Sequence, residues 1–410
     1  MKMPMELSVN MVKITPKVQP YPWGDDSFIP SLLGRLPDGK PQAELWFGTH
    51  PGGESAMPDS EPLGDFLRDH NKAFLGEEQV KRHGKELPFL LKVLAIAQPL
   101  SLQVHPSAEQ ALHGYTEELP RHVDIPQDQW NYKDGRQKAE VLYALTPVTA
   151  MCGFLPIAKL SANLMRLLPY QFPLVFPFLQ EPEEKNEAQL LQRFFTTLYT
   201  LEQEQRNLLL TEFKESLETL HDDSYTADGN WLTPGGIARL CLDSYPDDLG
   251  VFAPFFLYVL HLKPGEAVYL EPRTLHAYVR GHGIELMSNS DNVLRGGLTN
   301  KKVDVPELLK TLAFKAHNTG LCPQIRDTNN RLNILAPTDD FLLGVYERGT
   351  YHVGNRFSIE FLLCTEGTAE IVKDDQTHKL AQGECLVVAS SVDSYRITVK
   401  GKVFSASVPG

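Results

Sequence analysis

Gln103 and His105 stand two residues apart in Leu100-Ser101-Leu102-Gln103-Val104-His105-Pro106, just after an apolar run, Leu87 to Ala97, that contains Lys92. That run reads as a buried strand. Side chains alternate along an extended chain, so Gln103 and His105 share one face and Val104 takes the other. An amide oxygen and an imidazole nitrogen placed this way make half of a metal site; alone, the segment reads equally as a surface strand with two polar residues. Three further words supply the rest. In Lys138-Ala139-Glu140-Val141-Leu142-Tyr143 a carboxylate opens an apolar strand, and in Glu271-Pro272-Arg273-Thr274-Leu275-His276 an imidazole occupies a turn after a strand. The stretch Glu285 to Thr299 holds two more carboxylates, Glu285 and Asp291, and places Arg295 before two glycines. Gln103, His105, Glu140 and His276 together form a mixed nitrogen and oxygen set. Such a set suits zinc or another divalent transition metal better than calcium, which takes oxygen, or a thiolate structural site.

The elements that position these words are legible in outline. Val12 to Ala56 has short apolar runs broken by prolines and glycines, which predicts short strands and turns. Ser60 to Glu77 predicts a short helix, Leu87 to Val104 two successive strands, and Ser107 an N-cap with Gln110 at the third helical position. Lys138 to Leu145 and Thr149 to Phe154 return to strand character. From Pro156 to about Pro246 leucines and phenylalanines recur at spacings of three and four, the mark of packed helices. Strand texture resumes over Phe255 to Leu262, and Asn333 to Val408 reads as short strands with turns, a small β-sandwich. The words Lys263 to Val268 and Leu380 to Cys385 both place a tight turn before a strand, as the barrels of the cupin superfamily do.

Composition narrows the classes. The 410 residues allow two or three domains, and the hydrophobic share of 42% with 22% charged residues is that of a globular protein. A formal charge of -13 argues against nucleic acid or an anionic membrane as the general partner. Five scattered cysteines show no C-x-x-C pair, so neither a disulfide scaffold nor a thiolate zinc site is expected, and a reducing cytoplasm fits. Met1 to Asn10 has no apolar stretch of signal-peptide length, and no run reaches a membrane span.

The four words, with Tyr21-Pro22-Trp23-Gly24 before them, resemble in order and spacing the type I mannose-6-phosphate isomerases (phosphomannose isomerases), zinc enzymes of the cupin superfamily. The likeness runs from Tyr21 to about Pro306 and weakens toward the end. It implies one zinc ion per chain, held by Gln103, His105, Glu140 and His276, with Arg295 as the catalytic arginine. It also implies interconversion of mannose 6-phosphate and fructose 6-phosphate, feeding GDP-mannose metabolism, in a monomeric cytoplasmic enzyme. The fold implied is mainly β with α: a cupin (jelly-roll) catalytic barrel in two parts, 1–155 and 249–325, an inserted helical domain, 156–248, and a second cupin-like β-barrel, 326–410. One departure stands out. The family commonly has His-Lys-Pro-Glu where this chain has Gln137-Lys138-Ala139-Glu140, and a glutamine cannot take a proton at neutral pH.

The reaction needs a general base tuned toward neutrality, for which Glu285 and Lys138 are candidates and Asp291 a third. A structural reading of Glu285 is a carboxylate paired with an arginine; for Arg295 it is a salt bridge to Asp291, four residues earlier. Lys92, buried among apolar residues, either reaches an edge or meets an anion; the substrate phosphate is one such anion, with Ser101 as a neighbouring donor. Trp23 and Glu44 are candidates for lining the pocket, with packing as the alternative for Trp23. His50, His113, His122, His261, His282, His317, His352 and His378 lack partners at metal spacing, and the C-terminal part is expected to bind no metal. Two other classes compete: an iron(II) cupin oxygenase, and a sugar-phosphate sensor without turnover, favoured only by Gln137.

Overall fold

The computed structural model of the chain describes residues 10–180, 186–220, 223–316 and 320–409. Met1 to Val9, nearly all of the stretch judged above for a leader, and His317 lie outside the described residues. The organising element is the strand His276–Ser288. Its first half pairs with Leu102–Val104 and Val148–Phe154, and its second half with Phe89–Ile96 and Glu140–Ala144. The handover falls at Gly281, whose φ of +117° is seldom adopted by residues with a side chain, and where a Cβ would lie 2.4 Å from the Pro147 carbonyl oxygen. The register also slips between Tyr278 and Arg280. One strand thereby belongs to two sets of neighbours within a ten-stranded sheet.

Alternation then divides the residues of this sheet between two faces. Phe89, Leu91, Val93, Ala95, Val141, Tyr143, Ile284 and Leu286 share a core with Phe361, Leu363 and Phe404 of the C-terminal strands. Edge-to-face ring pairs, Phe89 with Phe361 at 5.4 Å and Tyr143 with Phe404 at 5.0 Å, join the two parts. On the other half of the sheet Leu102, Val104, Ala277, Val279 and Leu294 share a core with the helices Ile157–Leu167, Glu187–Tyr199, Gln203–Thr219 and Pro234–Ser244. Leu160, Leu164, Leu190, Leu191, Phe194, Leu209, Phe213 and Leu217 of the expected stripes are buried, whereas Leu208, expected with them, is exposed and Leu210 is buried in its place. Two apolar cores thus hold one face of the sheet, and the residues between, Glu44, Lys92, Gln103, Glu140, His276, Glu285 and Arg295, fall on the other.

The C-terminal part is a seven-stranded sheet and a four-stranded sheet around a shared core, as the sandwich reading expects. The strand Met11–Ile14, expected with the catalytic part, pairs instead with Cys385–Val388 in the seven-stranded sheet. All four residues of that partner are buried, so without the N-terminal strand its backbone groups would be an open edge. A second difference concerns Phe255 and Phe256, expected to begin a strand. Pro254 opens one helical turn, Ala253–Phe256, and the strand begins at Leu257; a short, fully buried apolar run does not distinguish the two conformations. Ser107 and Gln110 form the expected capping box. The five cysteines are buried, and no described helix is long and apolar enough to cross a membrane.

Candidate metal centre

One donor from each of His105, Glu140 and His276, all three buried, lies within 4.8 Å of the others. His105 Nε2 is 3.3 Å from Glu140 Oε1, and His276 Nε2 is 3.6 Å from Oε2. Both rings are held from behind: His105 Nδ1 donates to the Asn292 carbonyl at 2.8 Å and His276 Nδ1 to the Thr274 carbonyl at 2.9 Å. A carbonyl only accepts, so in each neutral ring the proton sits on Nδ1 and the Nε2 lone pair faces the carboxylate. Burial pushes His105 down to about 4, which keeps it neutral. Its Nε2 is buried without a hydrogen-bond partner. Two lone pairs turned toward a carboxylate repel unless a cation sits between them, so this donor set fits a divalent transition metal. Burial pushes Glu140 up, but the pull of the His105 ring and the Lys138 ammonium outweighs it and holds the carboxyl well below its ordinary range. Gln103 is paired in register with His276 on one side and Arg295 on the other, which puts all three side chains on one face. Its side chain therefore lies on the face that carries the cluster.

A row of ions adjoins the cluster. Lys92 Nζ is 2.9 Å from Glu285 Oε2 and 3.4 Å from Glu44 Oε2, and all three residues are buried. Lys92 thus meets anions supplied by its own sheet, one of the two outcomes expected of a lysine in an apolar strand. Burial first, then Glu285 and Glu44, act on this ammonium, and the carboxylates win, so its pKa is raised and it stays charged. Glu44 also accepts a hydrogen bond from the Trp46 indole, whose ring centroid is 5.0 Å from Lys92 Nζ. Burial raises Glu285 above the ordinary carboxylate range against the pull of Lys92, with Glu140 and Glu44 adding to the rise. Its partner is a lysine, not the arginine of the structural reading. Lys138 Nζ is 3.1 Å from Glu140 Oε1.

Arg295 has no ion pair or hydrogen bond among the described residues. Asp291, offered above as its salt-bridge partner and as a third base, pairs with Lys133 at 2.9 Å. Burial raises Asp291, but Lys133 outweighs it and the carboxyl is lowered, the wrong direction for a base working near neutrality. Ser101 lies one residue before the strand Leu102–Val104 and is half-buried. Trp23 packs against the apolar cluster that includes Leu94, Ile96 and Tyr278, and stacks on Tyr21 with centroids 5.8 Å apart. Tyr21 feels the charges of Glu44, Lys92 and Asp291, so this word does border the site.

Two neighbours of the site were not foreseen. His50, read as an ordinary histidine, is buried against the Trp46 ring and lines a cavity of about 650 Å³ with Lys133, Arg136 and Asp291. None of the metal donors lines this cavity. Asn292, within the Arg295 word, holds His105 and that same segment. Its uncharged amide gave no signal in the sequence, because its partners are more than 150 residues away.

The family model for "Phosphomannose isomerase type I, catalytic domain" matches residues 11–157. The mannose-6-phosphate isomerase of Escherichia coli is 35% identical over 398 residues, spanning 95% of this chain and 97% of that protein. The Homo sapiens enzyme is 34% identical over 322 residues, 72% of this chain and 71% of that protein. A crystal structure of mannose 6-phosphate isomerase bound with zinc and yttrium superposes with a TM-score of 0.87 at 33% identity, covering 98% of this chain and 100% of that one. With the site's donors arranged as they are, these likenesses have one reading: the chain belongs to the type I phosphomannose isomerase family.

Proposed function

We propose that the face bearing His105, Glu140 and His276 interconverts mannose 6-phosphate and fructose 6-phosphate, with Gln103 as the fourth donor to one zinc ion. The observation that carries this reading is the buried, unpartnered Nε2 of His105 turned toward Glu140 beside a second imidazole. When bound, zinc polarises the carbonyl and hydroxyl oxygens of the opened sugar and offsets the charge that develops as a proton leaves.

The remaining steps belong to the side chains. Glu285 takes the proton from C2 as the C1 carbonyl becomes an enediolate oxygen, then returns it to C1 as the C2 hydroxyl proton passes to the C1 oxygen and the C2 oxygen becomes the new carbonyl. No outside oxidant or reductant is needed. Burial supports Glu285 in this role by raising its pKa toward neutrality, and Lys92 pulls against that rise. Arg295, free of protein partners, offers a forked guanidinium to enediolate or phosphate oxygens. Gln137 cannot relay a proton, so Lys138, beside Glu140, is the candidate for assisting ring opening. Trp23, Glu44 and Ser101 border the substrate; Asp291 orders Lys133 and is given no proton to carry. The reading includes the domain division 1–155, 156–248, 249–325 and 326–410, with Met11–Ile14 added to the last, and a monomeric cytoplasmic enzyme.

The test is coupled conversion of mannose 6-phosphate to fructose 6-phosphate by the protein as purified, after chelation, and after zinc is restored. Activity that disappears with the chelator and returns with zinc is expected. Zinc-loaded protein that binds the sugar phosphate without turning it over would instead identify a sensor, and oxygen consumption dependent on iron would identify an oxygenase.

A further inference from the structure

Asn292 is fully buried, three residues before Arg295, and every polar group it carries is engaged. Its side-chain Nδ2 donates to the Asp134 carbonyl at 2.6 Å, the Arg136 carbonyl at 2.8 Å and Asp134 Oδ1 at 3.2 Å. Its Oδ1 accepts from the backbone N–H of Lys133 at 2.7 Å and of Asp134 at 3.3 Å. Its own N–H donates to Ser290 Oγ at 3.3 Å, and its carbonyl takes the His105 Nδ1 proton at 2.8 Å.

These contacts join two things that must be placed relative to each other. The segment 133–136 feeds directly into Lys138 and Glu140, while His105 lies on a different part of the sheet. An asparagine is suited to the junction because one planar amide both accepts from and donates to a backbone turn, leaving the residue's carbonyl for the imidazole. Ser290 reinforces the turn from the same side, its hydroxyl reaching Asp134 Oδ1 at 2.9 Å. We propose that Asn292 is the positioning residue that fixes His105 and Glu140 in their common geometry, and so sets metal affinity without touching metal or substrate. This rests on the zinc reading above.

The test uses the full chain stripped of metal, titrated with zinc against a chromophoric competitor, in wild type, Asn292→Asp and Asn292→Ala, with Asn333→Ala as a control. Asn333 is also a buried asparagine with a side-chain hydrogen bond, to Asp327, but it lies in the C-terminal sheet. Asn292→Asp keeps the acceptor for Lys133 and loses the donor to Asp134 and Arg136, so it preserves shape while setting a carboxylate against two carbonyls. Expected is a roughly 10- to 100-fold weaker zinc dissociation constant in both Asn292 variants, with part of the lost turnover recovered at higher zinc. The control should be destabilised with its zinc affinity unchanged. Amide hydrogen exchange at Lys133 and Asp134 should quicken in Asn292→Ala, a readout independent of metal. Folded Asn292 variants that bind zinc within about two-fold of wild type would overturn the proposal, whatever their melting temperatures. Wild-type protein that binds no zinc would overturn the zinc reading and this inference together.

Discussion

Lys92 and Glu285 face each other at paired positions on neighbouring strands, with Nζ 2.9 Å from Oε2 and both side chains buried. A buried pair of this kind is costly to break, because removing one partner strands the other charge. Lys92→Met should therefore destabilise the fold by about 3–5 kcal/mol in urea unfolding. It should also raise the Glu285 pKa further, moving the acid limb of kcat/KM to higher pH, since the base must be ionised to act. A stable variant with an unmoved acid limb would show that the pair does not tune Glu285.

Glu285→Gln separates base from ligand. Glu285 is outside the His105, Glu140 and His276 cluster, so zinc stoichiometry should stay at that of wild type while kcat falls by about 10²- to 10⁴-fold. Loss of zinc alongside turnover would place Glu285 among the groups that hold the metal instead.

Arg295→Lys tests a residue without protein partners. No ion pair or hydrogen bond among the described residues is lost, so stability should change by less than about 0.5 kcal/mol. A single ammonium cannot reproduce the guanidinium fork, and kcat/KM should drop about 100-fold. Intact activity with lower stability would return Arg295 to a structural part.

Much of this site was legible because its signals are local. The alternation Gln103-Val104-His105, the lone lysine in Leu87 to Ala97, and the carboxylate opening Val141 to Leu145 each carry their meaning within a few residues. The helical segment announced itself by its period. What stayed hidden is what the three-dimensional register decides. Nothing near Lys92 in the chain names Glu285, 193 residues on, as its anion. Asp291 looked like a partner for Arg295 by spacing, but Lys133 takes it. The strand Met11–Ile14 gives no local sign that it closes an edge formed by Cys385–Val388, at the far end of the chain. Its destination depends on which strand lacks a neighbour, which is a property of the assembled sheet.

Gly281 marks where the central strand changes partners, and its backbone is in a region that side chains avoid. Gly281→Ala would place a methyl 2.4 Å from the Pro147 carbonyl oxygen. The cost should be on the order of 2–4 kcal/mol in chemical unfolding. An alanine variant within 0.5 kcal/mol of wild type would mean that the strand relaxes there without loss.

His50 gives a pH dependence with a definite sign. The residue is 5% exposed, and its Nδ1 accepts the Gly52 N–H at 3.0 Å, so that nitrogen is already unprotonated. Burial is the main cause that lowers its pKa to about 4; Asp291 opposes, while Lys92, Lys138 and Lys133 add to the lowering. Below its ordinary value of 6.5 the unfolded chain takes a proton that the folded chain refuses until about 4. The unfolded state then binds more protons, so stability present above pH 6.5 is lost as the pH falls through that window. His50 should contribute on the order of 2–3 kcal/mol to the decline between pH 7 and 4.5. Comparing urea unfolding of wild type and His50→Gln at both pH values isolates this share, because the other titrating groups are common to both proteins. The stability gap should narrow by that amount at the lower pH. Parallel declines would mean that His50 takes its proton as readily in the folded protein as in the unfolded one.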